Sequence, residues 1–300
     1  MKQLLHFCFF ALVIFFGFDT IAQNYNITFA AQRTYTGKTL ANICGYAANG
    51  KEYALVGVEN GMEIVDVTTP TNPVAIVQIP NVTNLWKEIK VYKNYAYVTT
   101  EGGGGLQIVD LTNLPGTNLP YHSYTGNGTI AGQLNTIHAL HIDTSKKFVY
   151  LFGTNLFNGG AVVLDINNDP YNPTYAGKYQ NPQYAYVHDG YVDNDTLYAG
   201  HIYAGVFTVA DMTNKSAPIV LAEQQTPTAF THNTWLSDDH QYIFTTDENS
   251  NSFLTSYDIS NLNNITEKDK IRATPGSGSI VHNTHILNNW AVTSWYRDGI

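Results

Sequence analysis

The sequence has few cysteines and few charged residues, and each shortage excludes a class of protein. Only two of 300 residues are cysteine, and Cys8 lies inside an apolar N-terminal run, which leaves Cys44 alone in the rest of the chain. A chain with one cysteine has no internal disulfide and no cysteine-based zinc site. Charged residues make up 13% of the chain, about half of the usual ~25%. The net charge is −9 and Lys and Arg form no runs, so nucleic acid and anionic membranes are not expected as partners.

The sequence also lacks the apolar spacing of three and four residues that marks an amphipathic helix. Strand-forming and turn-forming residues are abundant instead, including 21 tyrosines and frequent Thr, Val and Asn. Neither a Gly-x-Ser-x-Gly nor a His-Glu-x-x-His motif is present. The composition therefore predicts an all-β chain. The sequence shows no familiar hydrolase signature.

Residues 1–22 have the pattern of a secretory signal peptide. A lysine at position 2 precedes an apolar run over residues 4–18, and the small residues Thr20 and Ala22 stand before Gln23 as in a cleavage site. The run is too short for a comfortable membrane span. We therefore expect a secreted or cell-surface protein whose mature chain begins at Gln23 and has no membrane span.

An internal repeat organises the rest of the sequence. Five stretches share an apolar run that ends in Asp and is followed by a polar turn and a second apolar run. The aspartates are Asp66, Asp110, Asp165, Asp211 and Asp258, at spacings of 44 to 55 residues. Two further apolar runs precede each aspartate, which gives about four strands per unit. We interpret the aspartates as turn residues whose carboxylates accept the backbone N–H two residues on.

Units of this length with four strands are typical of a β-propeller. One four-stranded sheet cannot cover both of its apolar faces, whereas a ring of such sheets covers both faces of each. We expect a single all-β propeller over residues 40–300, preceded by a strand or linker at residues 23–39. The last unit stops at residue 300, where the other units continue. The sequence therefore predicts a propeller that is incomplete at its C-terminus and seven-bladed when complete, with residues 26–35 as a candidate closing strand.

Four units carry a histidine at one shared position when they are aligned on their aspartates: His138, His188, His232 and His282. The equivalent residues of the first two units are Asn42 and Lys87. Because the first strand of a blade normally lines the central channel, the four rings are expected to form an arc around the axis. Such an arc is a candidate site for a divalent metal ion, with Asp189 as an orienting residue. The alternative is that each histidine only satisfies backbone groups of a neighbouring blade.

Other polar residues carry weaker signals. His201 and His240 are expected at the surface. His282 and His285 are three apart in a predicted strand, so they are expected to point to opposite sides and not to chelate one ion. Acidic and basic residues at corresponding strand ends are interpreted as exposed loop charges: Glu59, Glu101, Asp247, Glu248 and Arg297.

Several motifs resemble LVIVD repeats, among them "EYALVGVENGMEIVDVTTPTNPV", "LQIVDLTNLP" and "AVVLDINNDPYNP". Together with "THNTWLSDD" and "VHNTHI", their order is similar to that of the choice-of-anchor B family. The resemblance implies an exported bacterial β-propeller with a C-terminal anchoring or sorting region, and the composition looks like that of Bacteroidota proteins. The sequence departs from the family at Cys44 and Tyr46, where tryptophans are usual. No catalytic activity comes with the family.

We therefore expect a binding or scaffold module whose partner is an extracellular protein or glycan. A metal-binding protein or a metal-dependent enzyme that uses the histidine arc is the alternative. Catalysis is the less favoured reading because the sequence identifies neither a nucleophile nor an activated water.

Overall fold

A computed structural model describes residues 27–300, so the predicted signal peptide lies outside the described residues. The described chain forms five four-stranded sheets and one two-stranded sheet, all antiparallel. It contains no α-helix and two short 3-10 turns, Gly128–Ile130 and Phe157–Gly159. Neither turn in this part of the chain has the length and apolar character needed to cross a membrane. The predicted all-β propeller class is confirmed.

Each sheet is a blade made of consecutive strands. Blades 1 to 3 consist of β1 (Leu40–Ala48), β2 (Lys51–Val58), β3 (Gly61–Asp66), β4 (Val74–Pro80), β5 (Ile89–Tyr92), β6 (Tyr95–Val98), β7 (Leu106–Asp110), β8 (Tyr121–Tyr124), β9 (Ala139–Asp143), β10 (Phe148–Phe152), β11 (Ala161–Asp165) and β12 (Thr174–Tyr179). Blades 4 to 6 consist of β13 (Asp189–Asp193), β14 (Thr196–His201), β15 (Val206–Asp211), β16 (Ile219–Gln225), β17 (Thr231–Leu236), β18 (Tyr242–Asp247), β19 (Leu254–Asp258), β20 (Thr266–Ile271), β21 (Val281–Leu287) and β22 (Trp290–Trp295).

The first strand of each blade lies at the centre of the molecule, as predicted. The neighbouring first strands β9, β13, β17 and β21 contact one another in sequence order. The fourth strands lie at the outside, where β16 and β20 are largely exposed. The starts of the first strands therefore meet around a central channel.

Apolar side chains fill the spaces between successive blades. Tyr97 and Ile108 of blade 2 pack against Leu140 and Val149 of blade 3, and all four are buried. Equivalent clusters lie between blades 1 and 2, blades 3 and 4, and blades 4 and 5. Burial of apolar surface on both faces of a blade is the main favourable contribution to this fold.

The repeated aspartates close the turns between the third and fourth strands, which confirms their predicted structural role. In each case a carboxylate oxygen accepts the backbone N–H two residues on, at 2.7 to 3.0 Å. The donors are the N–H groups of Thr68, Thr112, Asn167, Thr213 and Ser260. These bonds lock the chain direction after the third strand.

The segment before blade 1 differs from the expectation of a closing strand. Residues 27–39 form no strand. They lie along blade 1 through polar contacts, with Arg33 Nη2 2.6 Å from Glu63 Oε1 and Lys38 Nζ 2.7 Å from Gln78 Oε1. A groove of about 640 Å³, lined by residues of blades 1 and 6, separates those two blades.

The strand registers correct one assignment of the repeat. In blade 1, Ile43 of the first strand pairs with Val56 of the second strand. In the other blades, the residue that makes the equivalent pair lies two positions after the histidine. The blade 1 equivalent of the histidines is therefore Ala41 and not Asn42. Asn42 corresponds to Asn233, one position further on. The distance from this position to the repeat aspartate differs between blades, so alignment on the aspartates placed the equivalent residue one position too late.

Candidate functional site

The four predicted histidines lie side by side at one mouth of the channel. The distances between ring centroids are 4.1 Å for His138 and His188, 4.6 Å for His188 and His232, and 4.3 Å for His232 and His282. A cavity of about 230 Å³ lies against them and is lined by residues of all six blades. The structure thus brings together residues that are 44 to 50 positions apart in sequence.

Two glutamates that were interpreted as exposed loop charges contact this arc. Glu101 Oε1 is 2.6 Å from His138 Nδ1. The two oxygens of Glu248 face two rings: Oε2 is 3.8 Å from His232 Nε2, and Oε1 is 3.9 Å from His282 Nε2. Both glutamates follow a second strand, β6 or β18. Their corresponding positions in the repeat were the signal for this placement.

Burial keeps two of the rings neutral. His188 and His232 have pKa values well below the ordinary histidine value, first because of desolvation and then because of the neighbouring histidines. The pKa of His282 is lowered in the same way, although the charge of Glu248 opposes the shift. Neutral imidazole is the form that binds metal ions and accepts protons.

His138 behaves differently because it has a carboxylate partner. Burial alone would lower its pKa, but the hydrogen bond and the charge of Glu101 raise it overall. Its Nε2 lies 3.1 Å from His188 Nε2. His138 therefore joins a charged carboxylate at the rim to the neutral rings deeper in the arc.

Two tyrosines make contacts with members of the cluster. The hydroxyl of Tyr296 donates to Glu248 Oε1 at 2.7 Å, and the hydroxyl of Tyr186 lies 3.5 Å from His188 Nδ1. The hydrogen bond from Tyr296 fixes the orientation of the Glu248 carboxylate, which leaves Oε2 facing His232.

Blades 1 and 2 break the histidine pattern. The side chain of Ala41 has no polar atom, and Lys87 takes the position in blade 2. Lys87 Nζ donates to the carbonyl oxygens of Val82 and Asn84, at 2.8 and 3.2 Å. Burial lowers the pKa of Lys87 to about 8. The lysine therefore fastens the loop before β5 as well as lining the cavity.

Asp189 was the candidate orienting residue, and the structure places it against other partners. Its carboxylate accepts from the Gly190 N–H at 2.7 Å and from Asn233 Nδ2 at 2.8 Å. Burial, followed by the nearby charge of Glu88, raises the pKa of Asp189. Among the described residues, the carboxylate bonded to a histidine ring of the arc is that of Glu101.

A second layer of rings lies three residues further along the first strands. The centroid of His141 is 4.4 Å from that of Tyr191, and the centroid of Trp235 is 4.2 Å from that of His285. The ring of His282 lies beside that of His232 in the first layer, at an interplanar angle of 44°. His282 and His285 thus belong to different layers but line the same groove, so the expectation that they point to opposite sides is wrong. A register shift between Val281 and Thr284 interrupts the alternation of the strand.

His201 is buried and not at the surface as expected, with 1% of its area exposed. Its Nδ1 lies 2.9 Å from the Tyr186 carbonyl oxygen and its Nε2 3.0 Å from Thr208 Oγ1. Burial lowers its pKa to about 4. His240 is exposed, with Nδ1 3.6 Å from Asp193 Oδ2.

The arrangement offers one compact set of metal-binding atoms. His188, His232 and Glu248 each contribute one ligand atom, and these three atoms lie within 4.8 Å of one another. His138 and His282 flank the three. Imidazole nitrogen and carboxylate oxygen are ligands of zinc and of other divalent transition metals.

Comparison with known proteins agrees with this fold. Residues 47–79 and 87–119 match the family model described as the LVIVD repeat. No curated protein matches the sequence.

Several solved structures share the fold at low identity. The β-propeller domain of Cps50 (Swd1) from Myceliophteria thermophila has a TM-score of 0.59 at 9% identity, over 85% of this chain and 83% of that chain. A protein of Bacteroides fragilis, named as a candidate 6-phosphogluconolactonase, has a TM-score of 0.60 at 9% identity, over 85% and 76%. A Lactobacillus plantarum protein has a TM-score of 0.57 at 14% identity, over 79% and 72%.

The fold and the ring of blades define this chain as a β-propeller. Its first two units carry LVIVD repeats, which confirms that part of the resemblance seen in the sequence.

Proposed function

We propose that this chain is an exported binding module that holds its ligand at the mouth of the central channel. One observation carries the proposal: a cavity of about 230 Å³ is lined by side chains from all six blades. Ligand sites form where a concave surface and a few polar groups converge, and no single blade supplies such a place. The LVIVD repeats and the propeller fold are consistent with a binding or scaffold role.

The rim of the cavity favours a sugar residue as the ligand. Trp86 and Tyr203 line the cavity and are 40% and 77% exposed. Flat aromatic faces pack against the apolar face of a sugar ring, while Glu101, Glu248 and the histidines offer hydrogen-bond partners to its hydroxyl groups. The cavity is smaller than the ~300–1,000 Å³ of most ligand pockets. It therefore suits one residue of a glycan better than a broad protein surface.

A glycan array probed with the purified protein tests this function. We expect binding to a defined set of glycans, and about tenfold weaker binding, or ~1.4 kcal/mol, after Trp86→Ala or Tyr203→Ala. Tyr121→Ala is the matched control because Tyr121 is 46% exposed on β8, a fourth strand. An array without any bound glycan, or an equal loss in the Tyr121 variant, would contradict the proposal.

We propose further that the chain is exported and is a member of the choice-of-anchor B family. The signal-like pattern of residues 1–22 and the order of the repeat motifs support both statements. Expression of the whole sequence in a Gram-negative host, followed by N-terminal sequencing, tests the export. The expected N-terminus of the exported form is Gln23, and a product that keeps Met1 in the cytoplasm would overturn the idea.

A further inference from the structure

We propose that the mouth of the channel is a divalent transition-metal site whose protein ligands are His188, His232 and Glu248. The three ligand atoms lie within 4.8 Å of one another. Blade 4 supplies one ligand and blade 5 supplies two, so the site exists only when these blades are packed together. The inference rests on the proposed function for its location, since it uses the same cavity, but the ion does not require a glycan to bind.

The donor set selects the kind of ion. Two imidazoles and one carboxylate match the three-ligand sites that hold zinc and leave a further position open. Calcium and magnesium prefer sets made of oxygen alone. We therefore expect Zn²⁺ and Co²⁺ to bind, and Ca²⁺ and Mg²⁺ to bind weakly or not at all.

The cavity contains polar atoms that the protein leaves without partners. His232 is 4% exposed, and its Nδ1 has no hydrogen-bond partner among the described residues. The same holds for Oδ1 of Asn283, which also lines the cavity. Buried polar atoms are nearly always satisfied in native proteins, so these two atoms are positions where the cavity can hold water or a polar group of a ligand beside the ion.

The groups around the three ligands have the arrangement of an outer shell. Tyr296 donates to Glu248 Oε1 at 2.7 Å, which leaves Oε2 for the ion. Hydrogen bonds of this kind orient metal ligands, and their loss weakens metal binding by about 10- to 100-fold. His138 Nε2 lies 3.1 Å from His188 Nε2, so an ion bound at that nitrogen of His188 would replace this hydrogen bond.

A purely structural role of the histidines makes a different prediction. In that case the rings pack on one another, and the protein binds no metal in a fixed ratio. The repeat contradicts a purely structural role, because Ala41 and Lys87 occupy the equivalent position in blades 1 and 2. An imidazole is therefore not required to complete a blade.

The test uses the purified chain with a tag that lacks histidine, stripped of metal by chelation. Calorimetric titration with Zn²⁺ and absorption spectra with Co²⁺ are expected to show one ion per chain. His188→Gln, His232→Gln and Glu248→Gln are each expected to weaken binding by about 100-fold or more. His240→Gln is the control, because His240 is an exposed histidine outside the cavity.

A chain without stoichiometric Zn²⁺ binding, or triad variants with wild-type affinity, would overturn the site. If a triad variant fails to fold by circular dichroism, Tyr296→Phe replaces it, since it removes one hydroxyl. This variant is expected to bind Zn²⁺ about tenfold more weakly with an unchanged fold, and wild-type affinity would count against the site.

Glycan binding is measured separately, with and without chelator. Zn²⁺ binding without any glycan removes the proposed function and keeps the metal site. Glycan binding without Zn²⁺ binding removes the metal site and keeps the proposed function.

Discussion

At the scale of single residues, periodicity predicted the histidine arc but not its acidic partners. The four histidines recur with the repeat, so a shared position on the first strands was enough to place them together. Glu101 and Glu248 lie in loops after second strands, and a loop's direction is not encoded in strand periodicity. His201 was misplaced for a related reason. Both faces of β14 are buried between neighbouring blades, so alternation of apolar and polar residues does not reveal burial there.

The buried His201 makes stability depend on pH. Its pKa is about 4 in the folded protein against about 6.5 in the unfolded chain, so the unfolded state takes up the proton first as the pH falls. The stabilising contribution is fully present above about pH 6.5 and is lost between there and about pH 4. Relative to wild type, His201→Gln is expected to reduce the loss of unfolding free energy between pH 7.5 and 4.5 by about 2.5 kcal/mol. Urea unfolding at both pH values measures this difference.

The exposed His240 serves as the reference for this measurement. His240→Gln is expected to keep the wild-type dependence on pH. If the His201 variant also keeps it, the buried imidazole is not the group that titrates.

At the scale of elements, the turn chemistry was fully visible in the sequence, whereas the register was not. Every repeat aspartate accepts the predicted N–H two residues on. The distance from the histidine position to the aspartate varies from 23 to 27 residues, because hairpin loops differ in length and first strands contain irregularities. Alignment by spacing is therefore uncertain by a residue, which is the error made at Asn42.

Loss of one turn carboxylate is expected to cost about 1 kcal/mol of unfolding free energy. Asp110→Ala removes the acceptor that bonds the Thr112 N–H at 2.9 Å. Asp110→Asn keeps an acceptor oxygen, so its cost should be clearly smaller. Urea midpoints of the two variants measure the difference, and equal costs would show that the charge, and not the hydrogen bond, matters.

At the scale of the whole molecule, the clusters between blades make stability uneven. Blade 3 has apolar clusters on both faces, which include Tyr97, Val149, Phe152 and Val163. In blade 6, Trp290 is 72% exposed. The number of strands per unit and the burial between blades were predictable from the repeat.

Amide hydrogen exchange should be slowest in the blades that are buried on both faces and fastest in the exposed blade 6. Peptides from β10 and β11 are expected to exchange at least ~100-fold more slowly than peptides from β22, since buried cooperative units open only by large-scale unfolding. Exchange followed by mass spectrometry measures both regions in one experiment. Equal protection in the two regions would mean that all blades open together.

Ala41 has a consequence for how freely this protein can vary. One position at the start of the first strand holds alanine, lysine or histidine in different blades, and every one of these blades still forms the hairpin between its first and second strands. The scaffold thus tolerates a wide range of side-chain size and charge there. Amino-acid replacements at the channel mouth can accumulate without loss of the folded state, so related propellers can diverge in what they recognise while their blades stay interchangeable.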